Sequence, residues 1–489
     1  MMKSFKFTLR PLALASCLML GACMNLAPRY ERPALPVPAT LAASPVQGSA
    51  GLGAGPVADT GWEALIADER LKAVIRLALD NNRDLRVAVA NVDKARATWR
   101  VERADELPAL KATGSETREH TSRTASSSGV ASTSSSWKAQ LGVSAYELDF
   151  FGRVANLSEA ALQSYLGTEA TQRSVQLTLI SSVASSWLTL AADQQQLKLA
   201  QDTLASRERT LDTVQRAHAL GGSSGPTLAA AQASREAARA SVASYSSTVE
   251  QDRNALELLL GAPLPERLLP PQGLIGDETR AAQLLDVPEG LSSELLLQRP
   301  DVLVAEHTLR ADNANIGAAR AAFFPTITLT AAGGSTSRSL GDLFASGSGA
   351  WSFAPSISLP IFDGGSNRAT LDAKKAQQTA DIATYEKTIQ TAFSEVANAL
   401  AVRRHITQQI EAQRAQVAAL EKSLGYAQAL QAQGSGSALD VLDAQRTLFT
   451  AQQTLTTLRL AEQTNRITLY KVLGGGARRE AGSAGRQDA

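Results

Sequence analysis

The chain is written twice. Landmarks of its first half return in its second at a nearly constant offset, and this bounds the fold more tightly than any composition does. Asp84, Ala88 and Pro108 come back as Asp301, Ala305 and Pro325, each 217 residues on. Val183-Ala184 returns as Val396-Ala397, and Gly261 of LLLGAP as Gly474 of KVLGGG, both at 213. Leu228 returns as Leu439 at 211. One such match would mean nothing; an ordered series makes chance a poor explanation. Two copies of one unit, 62–275 and 276–476, are expected, each a helix, then strands, then two long helices. Strands fall at about 108–149 and 325–362, and long helices at about 153–260 and 366–473.

The helices carry a seven-residue apolar period. Val183, Leu190, Leu197, Leu204 and Leu211 form one series. Ile382, Ile389, Val396, Ile410, Val417 and Leu424 form the other, interrupted by Arg403. A sustained period of seven is a coiled-coil seam. As continuous helices, 157–219 would reach about 95 Å and 366–432 about 100 Å at 1.5 Å per residue. Each ends in a Gly/Ser turn, GGSSGP at 221–226 and GSGS at 434–437, after which a second helix returns. Pro226 suits a first helical turn. Ser437-Ala438-Leu439-Asp440 has capping-box spacing, with Asp in place of Glu. On the helices alone, a soluble periplasmic hairpin without a pore fits equally well.

The strands favour a membrane. Trp351, Phe353, Ile357, Leu359 and Ile361 alternate with small or polar residues, long enough for a tilted transmembrane strand. Trp137, Leu141 and Val143 alternate with Lys138, Gln140 and Ser144, and Thr326–Thr330 is a third run. A fourth, near Leu110 to Thr117, is polar and poorly marked. Small polar stretches at 121–136 and 333–350 are expected as loops. The same alternation also suits one face of a soluble sandwich, and Pro355 sits awkwardly in a strand. In lipid, an open sheet edge cannot survive, and single-chain barrels start at about eight strands. Four strands per chain therefore require a multimer, and the count alone does not choose between two copies and three.

The N-terminus points to export. Lys3, Lys6 and Arg10 precede a short apolar run and then Leu20-Gly21-Ala22-Cys23, which resembles the lipobox of bacterial lipoproteins. By that resemblance 1–22 is a signal peptide, Cys23 is the lipidation site, and Met24 in place of Asp favours the outer membrane. The full chain has a formal net charge of +1; loss of Lys3, Lys6 and Arg10 with the signal leaves the mature part slightly acidic. That balance argues against a nucleic-acid partner. Cys17 leaves with the signal, so no intrachain disulfide is possible. No other segment reads as apolar enough for a transmembrane helix. Residues 23–61 read as a lipidated, extended Pro/Gly/Ala-rich linker, and 477–489 as a disordered tail.

Several stretches then identify a family by resemblance: YELDFFGR at 146–153, LLQRPDVLVAE at 296–306, NIGAARAAFFPTITL at 315–329 and WSFAPSISLPIF at 351–362. YEKTIQTAFSEVANAL at 385–400, LDVLDAQR at 439–446 and LYKVLGGG at 469–476 continue it. Together they resemble the outer membrane factors of bacterial efflux systems, the TolC-like family, in the lipoprotein branch typified by OprM and NodT. The resemblance runs from Cys23 to Gly476 and includes a Pro within the 351–362 segment. It implies a mixed α/β fold of mainly long α-helices: a homotrimer sharing a twelve-stranded outer-membrane barrel, continued by a periplasmic helical tunnel. Residues 62–105, 262–312 and part of the C-terminal region would form a mixed belt around the tunnel. Partners implied are a periplasmic adaptor (membrane fusion protein), an inner-membrane pump of the resistance-nodulation-division type and outer-membrane lipid. No cofactor is implied.

By the same resemblance, Leu439 and Asp443 line a closed periplasmic aperture, with Arg446 one turn along. Apolar rings gate by dewetting and acidic rings favour cations. Without the motif, Asp443 and Arg446 would read as an ordinary solvated helix pair. Gly221, Gly222, Gly434, Ser437 and Asp440 mark the turns expected to meet the adaptor. Two departures stand out: Leu430-Gln431 replaces an Arg-Tyr pair, and Ala229 replaces an Asp at the first turn. A closed state held more by the second hairpin is the expectation. No phosphate loop or His-Glu-x-x-His is present, His120, His218, His307 and His405 show no ligand spacing, and Gly51, Gly53 and Gly55 lie in the linker. The chain is read as no enzyme. A protein-secretion duct and a non-channel coiled-coil lipoprotein are the competing readings.

Overall fold

The computed structural model describes residues 24–39, 61–275, 281 and 292–475. Cys23, the expected signal peptide and the expected C-terminal tail lie outside them. The described chain folds as two compact units.

The first unit draws on 24–33, 91–168 and 304–385. Its centre is one antiparallel sheet in the order β1 (Leu110–Thr121), β2 (Ser132–Glu147), β3 (Thr326–Ser337) and β4 (Gly349–Ser358). Register fixes its faces. Leu110, Val143, Ala331 and Phe353 lie in one cross-strand row, and Ala112, Leu141, Gly333 and Trp351 in another on the same face. Phe353, Ile357 and Trp351 there are exposed, which is costly in water and favourable in lipid. The poorly marked fourth run is a full twelve-residue strand, β1. Its outward positions Ala112 and Gly114 are too small to show an alternation. The loops are shorter than expected, 122–131 and 338–348, because β2 and β3 extend into the Ser/Gly stretches; β4 stops at Ser358, short of Ile361. Pro355 is accommodated opposite Leu329 on β4, the edge strand of the sheet within one chain.

Residues 24–33 are not a free linker. They lie antiparallel along α5 (Pro300–Ala321), counting helices as α1 (Glu69–Asn81), α2 (Arg83–Ala104), α3 (Arg153–Ala219), α4 (Gly225–Leu260) and then α5. Arg32 grips Glu306 through Nη2 at 2.9 and 3.0 Å, and Arg310 reaches the same carboxylate at 2.7 Å while stacking on Tyr30. Asn313 donates to Pro28 O at 2.6 Å and Arg320 to Leu26 O at 3.1 Å. Met24 N–H bonds Phe150 O at 3.2 Å. At Gly317 a Cβ would fall 2.8 Å from Ala27 Cα, so the strap demands glycine there. From Glu306 to Arg320 a helix rises about 21 Å, and from Leu26 to Arg32 an extended chain covers about 20 Å, so the two runs match rung for rung.

The second unit takes 34–39, 61–90, 169–275, 281, 292–303 and 386–475 among the described residues. Its helices are α1 with the start of α2, the 169–219 part of α3 and the 386–432 part of α6 (Ser366–Ala432), with α4 and α7 (Ala438–Val472) returning from the turns. α3 starts at Arg153, and at 67 residues each α3 and α6 are about 100 Å long. The heptad seam holds: Val183, Leu190, Leu211, Ile389, Val396, Ile410 and Val417 are buried, with Leu197, Leu204, Ile382 and Leu424 half-buried. One expectation fails here. α3 contains an 18-residue window apolar enough to cross a membrane by composition, but 61% of it is buried within the protein. Its Val, Leu and Trp side chains, Trp187 included, make the core of this unit. Trp187 Nε1 donates to Leu268 O at 3.0 Å, and Arg299 ties Asp301, Glu395 and Val472 O together.

Candidate functional site: the hairpin tips and the helix contact behind them

Both tips are built by glycine and caps. After α3, Gly221 takes φ 78° and Gly222 N–H closes on Ala217 O at 2.8 Å. Ser224 then caps α4, accepting from Thr227 N–H at 3.3 Å, with Pro226 in the first turn. After α6, Gly434 takes φ 76°, and the N–H groups of Ser435 and Gly436 both reach Leu430 O at 3.0 Å. Ser437 opens α7 with the expected capping box: its hydroxyl accepts from Leu439 N–H at 3.1 Å, and Asp440 accepts from Ser437 N–H at 3.3 Å. This pins the register of the α7 start and thus the direction of the side chains that follow.

Leu439 is 49% exposed in the single chain, one of few large apolar groups on that turn. Asp443 pairs with Arg446 at 2.5 Å, both largely exposed. So the three expected aperture residues share the first three turns of α7, and a neutralising partner sits beside the acid. Leu220, 88% exposed, and Leu430 add apolar surface at the two turns. Among the described residues no group of three or more His, Cys, Asp or Glu could hold a metal ion.

Behind the tip lies a contact that the sequence reading missed. Leu442 joins Leu211, Val214 and Ala231 in a small core, fixing α7 to the first hairpin. Then Gln445, Phe449 and Gln453, at four-residue spacing, form a polar ladder. Buried Gln445 donates to Ser206 Oγ at 3.1 Å and Thr210 Oγ1 at 3.0 Å. Phe449 lies under the Arg207 guanidinium, 5.9 Å from its ring centre, and Arg207 donates to Ser234 O at 2.9 Å. Gln453 donates to the Tyr245 hydroxyl at 2.8 Å, and Gln196 to Gln453 O at 3.1 Å. Burial pushes the Arg207 pKa down. The signal was present as Gln-x3-Phe-x3-Gln on one helix face, but its partners lie some two hundred residues away.

A sheet with a lipid-suited face and edges unpaired among the described residues, carried on the same chain as two long helical hairpins, defines a class: an outer-membrane β-barrel duct with coiled-coil hairpins. The comparisons agree. The family model described as outer membrane efflux protein matches twice, over 74–262 and 291–475. The chain is 44% identical over 468 residues to the toluene efflux pump outer membrane protein TtgC of Pseudomonas putida, covering 96% of each. It is 42% identical over 467 residues to the cation efflux system protein CusC of Escherichia coli K12, covering 95% of this chain and 97% of that one. The open-state MtrE outer membrane channel of Neisseria gonorrhoeae superposes with a TM-score of 0.81 at 39% identity, covering 93% of this chain and 99% of that one. The chain belongs to the outer membrane efflux protein family. It is an efflux component of the outer membrane, and its duplicated fold is the family's, mainly helical with a four-stranded sheet.

Proposed function

We propose that three copies of this chain close a twelve-stranded barrel and serve as the passive exit duct of a tripartite efflux system. One observation carries this: a four-stranded sheet, apolar on one face over the rows through Leu110 and Ala112 and polar on the other, whose β1 and β4 edges find no partner among the described residues. Lipid forbids such edges, and three copies supply the twelve strands that leave a polar lumen. A periplasmic adaptor at the hairpin turns, around Gly221, Gly222, Gly434, Ser437 and Asp440, joins the duct to an inner-membrane pump of the resistance-nodulation-division type. Cys23 carries the lipid anchor. Relatives of nearly equal identity are named for toluene and for cations, which favours small-molecule or metal-ion efflux over protein secretion.

Leu439 and Asp443 form the periplasmic aperture, with Arg446 holding the carboxylate. Tripled, Leu439 makes an apolar ring and Asp443 an acidic one. Planar-bilayer recording tests the duct: discrete conductance from a purified trimer is expected, and its absence refutes the reading. Asp443→Ala should raise resting conductance and weaken cation preference; no change in either removes the aperture assignment. Deletion of the gene followed by a screen against antibiotics, dyes, solvents and metal ions identifies the cargo. Complementation by a Cys23→Ser form reads out the need for lipid.

A further inference from the structure

We propose that Lys111 and Lys138 make the barrel lumen an anion-favouring segment and are its selectivity-determining residues. The inference rests on the duct reading, because it needs the polar face of the sheet to enclose the pore. Alternation puts successive residues on opposite faces, and the apolar rows through Leu110 and Leu141 mark the lipid side. Lys111 and Lys138 fall on the other side. Lys111 shares its row with Gly142, Ala332 and Ser352, and Lys138 lies opposite Ser115 and Thr336. These neighbours are small and uncharged, so neither ammonium meets a carboxylate across its row.

Two other charges on that face need weighing. Glu147 is engaged by Arg153, through Nε at 2.8 Å and Nη2 at 2.5 Å, and adds no net charge. Glu119 lies four positions beyond Ser115 on β1, about 13 Å along the strand, which exceeds a screening length of about 8 Å at physiological salt. β3 and β4 contribute no charged residue between Thr326 and Ser337 or between Gly349 and Ser358. Each chain thus presents two lysines at levels about 13 Å apart, and three chains make two cationic rings. Rings of Lys or Arg attract anions and repel cations. Three acidic cargo classes follow from this: anionic drugs, carboxylate-bearing amphiphiles and anionic metal complexes pass this segment more readily than free cations of equal size.

The test is the reversal potential of the full-length protein in planar bilayers under a KCl gradient. The Lys111→Gln/Lys138→Gln double variant should raise the cation-to-anion permeability ratio roughly twofold or more near physiological ionic strength, where Glu119 is screened from both lysines. A Lys138→Cys variant supplies the control for misfolding. Modified with a positively charged thiol reagent it should regain the wild-type ratio, and with a negatively charged one it should move further toward cations, the unsubstituted protein being treated alongside. Conducting channels whose ratio does not move in either variant overturn this proposal and leave the duct reading standing. A wild-type protein that never conducts overturns both.

Discussion

Glu306 is the residue whose loss should be felt most locally. Its side chain is 3% exposed and receives Arg32 through Nε and Nη2 and Arg310 through Nη2, at 2.7 to 3.3 Å. Burial pushes its carboxyl pKa up, and the hydrogen bonds and charges of the two arginines more than reverse that, holding it below the usual carboxylate range. In Glu306→Ala the arginines are not stranded, since their side chains are 46% and 40% exposed and turn to water. The loss is therefore less than the 3–5 kcal/mol of a fully buried pair, and about 2 kcal/mol is expected from charge-assisted hydrogen bonds. That free energy belongs to seating of the strap, not to global unfolding. At about 1.4 kcal/mol per tenfold, strap opening becomes roughly thirtyfold more frequent.

Limited trypsinolysis reads this directly. Within the strap, Arg29-Tyr30 is cleavable whereas Arg32-Pro33 resists trypsin. Under conditions where cleavage tracks the open population, cutting after Arg29 should accelerate by about thirtyfold in the variant, while the sheet and hairpins stay resistant. Cleavage at the wild-type rate would refute the reasoning. The pH dependence has a definite sign: a carboxyl with a depressed folded pKa contributes above its unfolded pKa of about 4.3 and loses that contribution only as pH falls through the lower folded value. The protection factors of the 24–33 amides should thus hold at pH 5 and fall only in stronger acid.

Burial and then the neighbouring Asp252 carboxyl push Asp193 up to about 7, and burial and then Asp381 push Asp312 up to about 7. Acids with raised folded pKa values stabilise fully below the ordinary carboxylate range and lose that contribution as pH climbs to about 7; Asp193→Asn and Asp312→Asn should flatten this fall in urea melts, and profiles parallel to wild type would contradict it. Gly261→Ala should cost about 2 kcal/mol or more, because φ is 65° and its Cβ would lie 2.6 Å from Asn81 O, and thermal melts would show it. Ser437→Ala removes the capping box and should cost about 1 kcal/mol, seen as faster exchange in the first turn of α7 with little change in global Tm.

What the sequence showed well was local and periodic. The heptad seams, the Ser437 cap and the Trp351–Ser358 alternation each depend on residues within a turn or a strand of one another. The misses share a different cause. β1 hid because its lipid-facing positions Ala112 and Gly114 carry almost no apolar contrast. The strap hid because Glu306, Arg310, Asn313, Gly317 and Arg320 recur every three or four residues as any solvated helix face would, and only the fold brings 24–33 onto them. The apolar window of α3 was hidden by its length. Spread over 67 residues, its hydrophobic stretch is diluted by polar ends.

The duplication explains the scaffold, and the differences between the copies explain what the tips can do. At the offset that aligns Leu228 with Leu439, Asp440 corresponds to Ala229, Asp443 to Gln232 and Arg446 to Arg235. The first copy keeps the leucine and the arginine but neither acid. Its Arg235 pairs instead with the adjacent Glu236, which Arg239 also meets at 3.2 Å. Two equal hairpins in three chains would give a near-sixfold ring in which every acid repels its neighbours. In the proposed trimer, an acid at Asp443 alone would set three carboxylates around the same circumference, each beside its own Arg446. Like charges placed farther apart repel less, so a narrow tip can be reached without protonating an acid or binding a counter-ion. The first hairpin, which lacks both of those acids, supports α7 through neutral or delocalised groups: the hydroxyls of Ser206 and Thr210, the Arg207 face on Phe449, and Tyr245.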